Sequence, residues 1–375
     1  MRFLHVSDLH IGKKLSQLSL AEDQQYILDQ IVELAKEADC VLIAGDVFNR
    51  AQPSQESLSM AGRFFEQLAL TRVPVAVIAG NHDSAELIGY CANVLKLGGI
   101  HAAGAYEGAL QKMTLTDGSG DVDVWMMPFL RPANVRPHHP EAEIGGYPAA
   151  IKCVLDNAGI DWTRRNVLVA HQYVAGAAVC DSEELIVGGV DQIPASLFDG
   201  FDYVALGHLH TPQRVGMNDV RYSGSPLAYS LSEVRGEGGK CALMIDMDAR
   251  GDVRVEKREL KPLRQLREVK GAFREIAAMP YSEDYVAVTL TDDVPPMDAM
   301  GALRVNFPNT LSLQWAGAAG EAEDIPVENV ENVDPAEHFA RFYRQQNGGR
   351  ELTDAHWQVV RQLFEEVTDG EEGAR

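Results

Sequence analysis

Short apolar runs, each closed by a polar cluster, recur along the first two-thirds of the chain. They occupy residues 3–6, 41–44, 75–79, 167–170 and 203–206. Apart from His5 in the first, each is apolar at consecutive positions, the pattern of a strand buried on both faces in a layered α/β fold. The clusters that follow them are Asp8-Leu9-His10, Gly45-Asp46, Gly80-Asn81-His82-Asp83, His171 and Gly207-His208-Leu209-His210. Strands of one sheet would carry these side chains to one edge, where open α/β sheets place their sites. Apolar periodicity over 24–38 and 54–70 predicts amphipathic helices, and further strands are expected at 122–127, 220–223 and 241–246. The region 1–262 therefore reads as a two-sheet β-sandwich flanked by helices.

A smaller unit is expected after Pro262. Its order is strand 266–269, helix 272–279, strand 285–290, helix 298–304 and strand 311–315. This α/β module, 263–316, carries no His or Asp cluster and is too small to house the chemistry. Residues 317–333 are rich in Gly, Ala, Glu and Asn and read as a linker. Two helices follow in 334–375. Asp334 before Pro335 gives an N-cap with proline at the first helical position, and the helix presents Phe339, Phe342 and Tyr343. Thr353 caps the second, whose apolar face is Val359, Val360, Leu363, Phe364 and Val367. Such helices either fold back onto the core or dock on a partner protein.

The formal net charge of -22 changes the picture of partners. A chain this acidic should hold a polyanion weakly by itself, so a partner would supply part of any phosphate-binding surface. Divalent cations would reverse the local sign at a carboxylate-rich site. Cys40, Cys91, Cys153, Cys180 and Cys241 lack CxxC spacing and read as reduced thiols of a cytoplasmic protein. No stretch reads as a secretory leader or a membrane span.

The clusters suit metal ligation. Asp8 and His10 alternate on what reads as an extended segment, so both face one side. Asp46 can bridge two cations, Asn81 offers an amide oxygen, and His171, His208 and His210 offer imidazoles. The expected arrangement is two sites joined by Asp46, with Asp8, His10 and His210 on one side and Asn81, His171 and His208 on the other. Oxygen and imidazole donors without thiolate favour manganese, iron or zinc over magnesium or calcium. Two such ions can activate water for in-line displacement at phosphorus. His82 is placed to protonate a leaving oxygen or stabilise its charge, with Asp83 orienting the imidazole. Arg50, Arg131 and Arg136 are candidate phosphate contacts. His5, His101, His138, His139, His338 and His356 read as structural or solvated. The glycine-rich stretch before Lys240 is followed by Cys241 rather than Ser or Thr, which argues against a phosphate-binding loop for ATP.

In this order, Asp-x-His, Gly-Asp, Gly-Asn-His-Asp, His and Gly-His-x-His resemble the calcineurin-like metallophosphoesterase superfamily. The opening Met1-Arg2-Phe3-Leu4-His5-Val6-Ser7-Asp8-Leu9-His10-Ile11-Gly12, with Gly45-Asp46-Val47-Phe48 and Tyr222-Ser223-Gly224-Ser225-Pro226, is similar to that superfamily's bacterial DNA nucleases. The resemblance implies manganese-dependent cleavage of DNA, exonucleolytic on duplex ends and endonucleolytic on hairpins or single strands, in repair and recombination. It implies ligand roles for Asp8, His10, Asp46, Asn81, His171, His208 and His210, and transition-state stabilisation by His82. It further implies a DNA-capping role for 263–316, docking of 334–375 on a coiled-coil ATPase, and a homodimer formed through helices within 52–65 or 84–97. Asn49 departs from the Asp or His that relatives often carry there, which touches the exonuclease detail. The alternatives are a phosphodiesterase or phosphatase for small molecules or phosphoproteins, and a non-catalytic scaffold.

Overall fold

The protein is seen here in a computed structural model, which describes residues 1–90, 92–183, 191–216, 219–235, 239–292, 294, 297–316, 339–340, 343–344, 351–354 and 356–360. The chain divides into two compact units, Met1–Leu266 and Arg267–Arg375.

The first unit is built on two six-stranded sheets. One runs Val253–Glu259, Cys241–Met247, Arg2–Val6, Cys40–Ile43, Val75–Ile78, Ile100–Ala103. The other runs Gln213–Val215, Val220–Tyr222, Tyr203–Gly207, Arg165–His171, Gly120–Met127, Gln111–Asp117. In each sheet the central strands that precede the polar clusters are parallel. Phe3, Leu42, Ala44, Ala76, Ile78, Val167, Val169, Tyr203, Ala205 and Leu243 belong to one buried cluster drawn from both sheets. Helix Tyr147–Asp156 contributes Ala150, Ile151 and Val154 to another, with Leu168, Ala170 and Leu206 of the second sheet. Successive residues of one strand thus enter different cores, which is why these strands carry no polar alternation.

The expectation of one sheet edge needs correcting. Arg2–Val6, Cys40–Ile43 and Val75–Ile78 end on one sheet, while Arg165–His171 and Tyr203–Gly207 end on the other. The clusters meet because the two sheets approach closely at these ends. A Cβ on Gly207 would overlap the Ala44 carbonyl oxygen, so glycine is what lets strands of different sheets touch there. His5 spans the same gap, with Nδ1 3.0 Å from the Tyr203 hydroxyl and Nε2 3.2 Å from the Leu206 carbonyl.

The amphipathic helices run Ala21–Ala35 and Gln55–Thr71, the latter capped by Ser54, whose hydroxyl accepts the Ser57 N–H at 3.1 Å. Sequence patterning missed the outermost strands of both sheets, the short Ile100–Ala103 and Gln213–Val215 and the longer Gln111–Asp117 and Val253–Glu259. In the two longer strands, exposed positions leave no apolar run to detect.

The second unit holds a three-stranded sheet in the order Leu266–Gly271, Tyr285–Leu290, Thr310–Trp315, with helices Phe273–Ala277 and Ala299–Leu303. Val269, Ile276, Val286, Val288, Leu290, Leu303 and Phe307 form its core. The expected linker 317–333 lies outside the described residues, as does most of 334–375, including Phe342, Leu363, Phe364 and Val367. Of the tail, Leu352 and Val360 are buried with Ala340, Tyr343 and Trp357 against them. Among the described residues no helix is long and apolar enough to cross a membrane.

Candidate active site

Beyond the strand ends the chain does not stay extended. Asp8, His10, Asp46 and His208 have φ of 53°, 44°, 52° and 104°. Left-handed backbone at non-glycine residues is costly and persists only where surroundings over-determine it. Asp8 and His10 therefore do not share a side by strand alternation, and neither do His208 and His210. The surroundings are explicit. The N–H groups of Asp8, His10 and Ile11 donate to the carbonyls of Gly45, Asp46 and Val47 at 3.0, 2.9 and 2.9 Å. Gln24, buried on the first helix, donates to the His10 carbonyl at 2.7 Å and accepts the Gly12 N–H at 2.9 Å. Its place inside a helical pattern hid this role.

All seven expected ligands come together, and all but Asn81 are buried. His10 Nε2 and His210 Nε2 lie 3.0 Å apart. Ligand atoms of Asp8, His10 and His210 fall within 4.8 Å of one another, as do those of Asp8, Asp46 and His171. Asn81 Oδ1 is 3.0 Å from His171 Nε2 and 2.8 Å from His208 Nδ1. His171 Nε2 is 3.4 Å from Asp46 Oδ2, which is also 3.8 Å from His10 Nε2. Asp46 sits between the two groups.

The donor set fits divalent cations. His171 Nδ1 lies 2.7 Å from the Ala44 carbonyl, which only accepts, so Nδ1 carries a hydrogen and Nε2 is the atom turned toward Asp46 and Asn81. Burial lowers His171, and Asp46 and Asp8 more than reverse that, to about 9. Its Nε2 thus attracts positive charge strongly. Asp46 lies below the ordinary carboxylate range, because His171, His10 and His82 outweigh the burial that opposes its ionisation. Burial raises Asp8 to about 6 and lowers His208 to about 3. Among the buried polar atoms, His10 Nδ1 and His208 Nε2 have no hydrogen-bond partner. Cations bound by these seven residues would activate a water and neutralise charge developing at phosphorus.

The chain's own groups set the rest. Asp8 accepts the Ser7 hydroxyl at 2.5 Å, and Ser7 contacts the Ser223 hydroxyl at 2.8 Å. His82 is partly exposed, its Nε2 3.9 Å from Asp46 Oδ2. Its Nδ1 lies 3.3 Å from the Asn49 carbonyl. That contact is made by backbone, so the side chain at 49 does not determine it. Asp83 does not orient His82, contrary to expectation. Its carboxylate accepts the N–H groups of Val47, Phe48 and Gly80 at 3.1, 2.8 and 2.9 Å, clamping the two ligand-bearing loops together.

A groove of about 1070 Å³ opens beside His82 and Asn81 and is lined by Lys13, Lys14, Asn49, Arg50 and Gln52. Of the three arginines singled out in the sequence, Arg50 lines this groove. Arg131 lies 5.5 Å over the Phe129 ring, which stacks on His208. Arg136 donates twice to the Ile144 carbonyl, at 3.1 and 2.9 Å. Lys240, the lysine after the glycine-rich stretch, pairs with the covered carboxylate of Glu233 behind His210. Sequence reasoning missed Glu233, since nothing in its local context marks it.

The family model for calcineurin-like phosphoesterase matches residues 1–212. A second, described as the type 5 capsule protein repressor C-terminal domain (SbcD_C), matches residues 262–347. Among solved structures, the TT1561 protein of Thermus thermophilus is 13% identical, with a TM-score of 0.38, over 68% of this chain and 98% of that one.

Proposed function

Because the chain belongs to the calcineurin-like phosphoesterase family, we propose that its metal-dependent hydrolysis is directed at DNA. The pairing of that domain with an SbcD_C domain supports an SbcD-type nuclease subunit. The observation that carries the choice of substrate is the groove beside His82. On a chain of net charge -22, it gathers Lys13, Lys14 and Arg50 next to the metal ligands. None of the three forms a salt bridge among the described residues. Cationic side chains without a carboxylate partner along a groove suit a phosphate backbone.

In this reading Asp8, His10, Asp46, Asn81, His171, His208 and His210 hold two manganese ions and His82 stabilises the leaving oxygen. The activity is exonucleolytic on duplex ends and endonucleolytic on hairpins or single strands, in DNA repair and recombination in the cytoplasm. Residues 263–316 cap the DNA, and 334–375 dock on an SbcC-type coiled-coil ATPase that adds phosphate-binding surface. A homodimer would cover Leu58, Leu70, Tyr90, Val94 and Leu97, which are exposed on or beside the helices of 55–97.

The test is cleavage of end-labelled linear and hairpin DNA with manganese, alongside an aryl phosphodiester and an Asp46→Ala control. DNA cleavage that disappears in the control is the expected result. Hydrolysis of the aryl ester with DNA left intact, even with the ATPase supplied, would exclude the nuclease and favour a small-molecule phosphodiesterase.

A further inference from the structure

Every polar atom of His210 except Nε2 is held by two distant segments of chain. Its backbone N–H donates to Glu183 at 2.6 Å and its carbonyl accepts from Lys240 Nζ at 2.8 Å. Its Nδ1 lies 2.7 Å from the Ser182 hydroxyl, which in turn lies 2.5 Å from Glu233 Oε1. The side chain of Glu233 is covered, pairs with Lys240, and also accepts from Ser225 at 3.1 Å and from the Tyr229 N–H at 3.1 Å.

Proton counting gives this chain a direction. Ser182 has one hydroxyl hydrogen, and an ionised carboxylate paired with lysine only accepts, so that hydrogen goes to Glu233. The Ser182 oxygen then presents lone pairs to His210, and Nδ1 must be the donor. Two further groups lie near Nδ1: Glu233 Oε1 at 3.6 Å, which can only accept, and the Cys180 thiol, which directs its own hydrogen to Glu183 Oε1 at 3.2 Å. Nε2 is left as the one ring nitrogen available to a cation, and it is the atom 3.0 Å from His10 Nε2.

We propose that Ser182 and Glu233 are positioning residues that fix Nδ1 of His210 as a hydrogen-bond donor and so set the metal affinity of the site formed by Asp8, His10 and His210. The inference rests on reading those three residues as ligands of one ion. Its logic matches that of His171, where the Ala44 carbonyl plays the same part directly. The difference is reach. At His210 the acceptor is a hydroxyl ordered by a carboxylate 51 residues further along. Outer contacts of this kind typically change metal affinity by about 10- to 100-fold.

The full chain, titrated with manganese and followed by electron paramagnetic resonance and calorimetry, tests this. Ser182→Ala should weaken one of two classes of bound ion by about 10- to 100-fold. It should leave the other class and the melting transition unchanged, and Ser182→Thr should restore the parent. In the zinc-loaded parent, proton–nitrogen correlation spectra should show a hydrogen on His210 Nδ1 protected from exchange. Unchanged affinity in both Ser182→Ala and Glu233→Gln would overturn the proposal. So would equal weakening of both ions, or a zinc-loaded His210 without a hydrogen on Nδ1, a readout that stands even where a variant fails to fold. Manganese binding indifferent to Asp46→Ala would instead sink the two-ion reading beneath it.

Discussion

Asp83 accepts the backbone N–H of Phe48 at 2.8 Å, across 35 residues of chain. With Val47 and Gly80 as further donors, this carboxylate ties the loop that carries Asp46 to the loop that carries Asn81. Burial, followed by Asp46, pushes its carboxyl up to about 7, while the three N–H groups oppose that. Leaving a buried donor unpaired costs about 1–3 kcal/mol. Asp83→Ala is expected to lower unfolding free energy by roughly 3 kcal/mol or more and to weaken manganese binding. Asp83→Asn, which keeps an acceptor oxygen, should lose less. Denaturant unfolding and metal titration check both, and a stable Asp83→Ala would refute the clamp.

His82 faces Asp46 and the groove. His82→Ala should leave the bound divalent-metal content unchanged while lowering kcat by about 10²- to 10⁴-fold. Metal content alongside turnover decides the matter: loss of an ion would move His82 into the ligand set.

Gly207→Ala probes the meeting of the two sheets. The added methyl would overlap the Ala44 carbonyl and press on the His171 ring. Overpacking at such a point costs roughly 1–3 kcal/mol. Weaker metal binding should accompany it, because the Ala44 carbonyl is what holds His171. A variant with parental melting and parental metal affinity would show that the sheets can part there freely.

His5 makes stability depend on pH. Burial lowers it to about 3 from 6.5, so the folded state stays neutral where the unfolded chain already binds a proton. Its contribution is fully present above about pH 6.5 and is lost as pH falls toward 3, at about 1.4 kcal/mol per pH unit. His5→Gln should flatten the fall between pH 6.5 and 5, relative to the parent, in denaturant midpoints. An unchanged slope would mean that other groups govern acid sensitivity.

Much of this was visible in one dimension. Unbroken apolar runs at 41–44, 75–79 and 203–206 mark strands buried on both faces, and the order of the polar motifs named the candidate ligands that the fold brings together. The glycines of Gly-Asp, Gly-Asn-His-Asp and Gly-His-x-His were legible as motif letters, but their reason was not. A Cβ on Gly80 would overlap the Asp46 carboxylate, a contact between loops far apart in sequence.

Local chemistry and periodicity are properties of neighbouring residues, so strands, helices and the stock of metal-binding side chains could be read from the chain alone. Which partner each side chain meets depends on contacts closed by the whole fold. Asp83 could look like the orienter of His82 because the Val47 and Phe48 N–H groups that claim it arrive from another loop. The part played by Lys240 was not legible in the sequence, because its contacts with Glu233 and the His210 carbonyl are made only in the folded chain. The left-handed turns at Asp8, His10 and Asp46 have the same origin: neighbouring strands and loops hold a backbone conformation that is costly for any non-glycine residue.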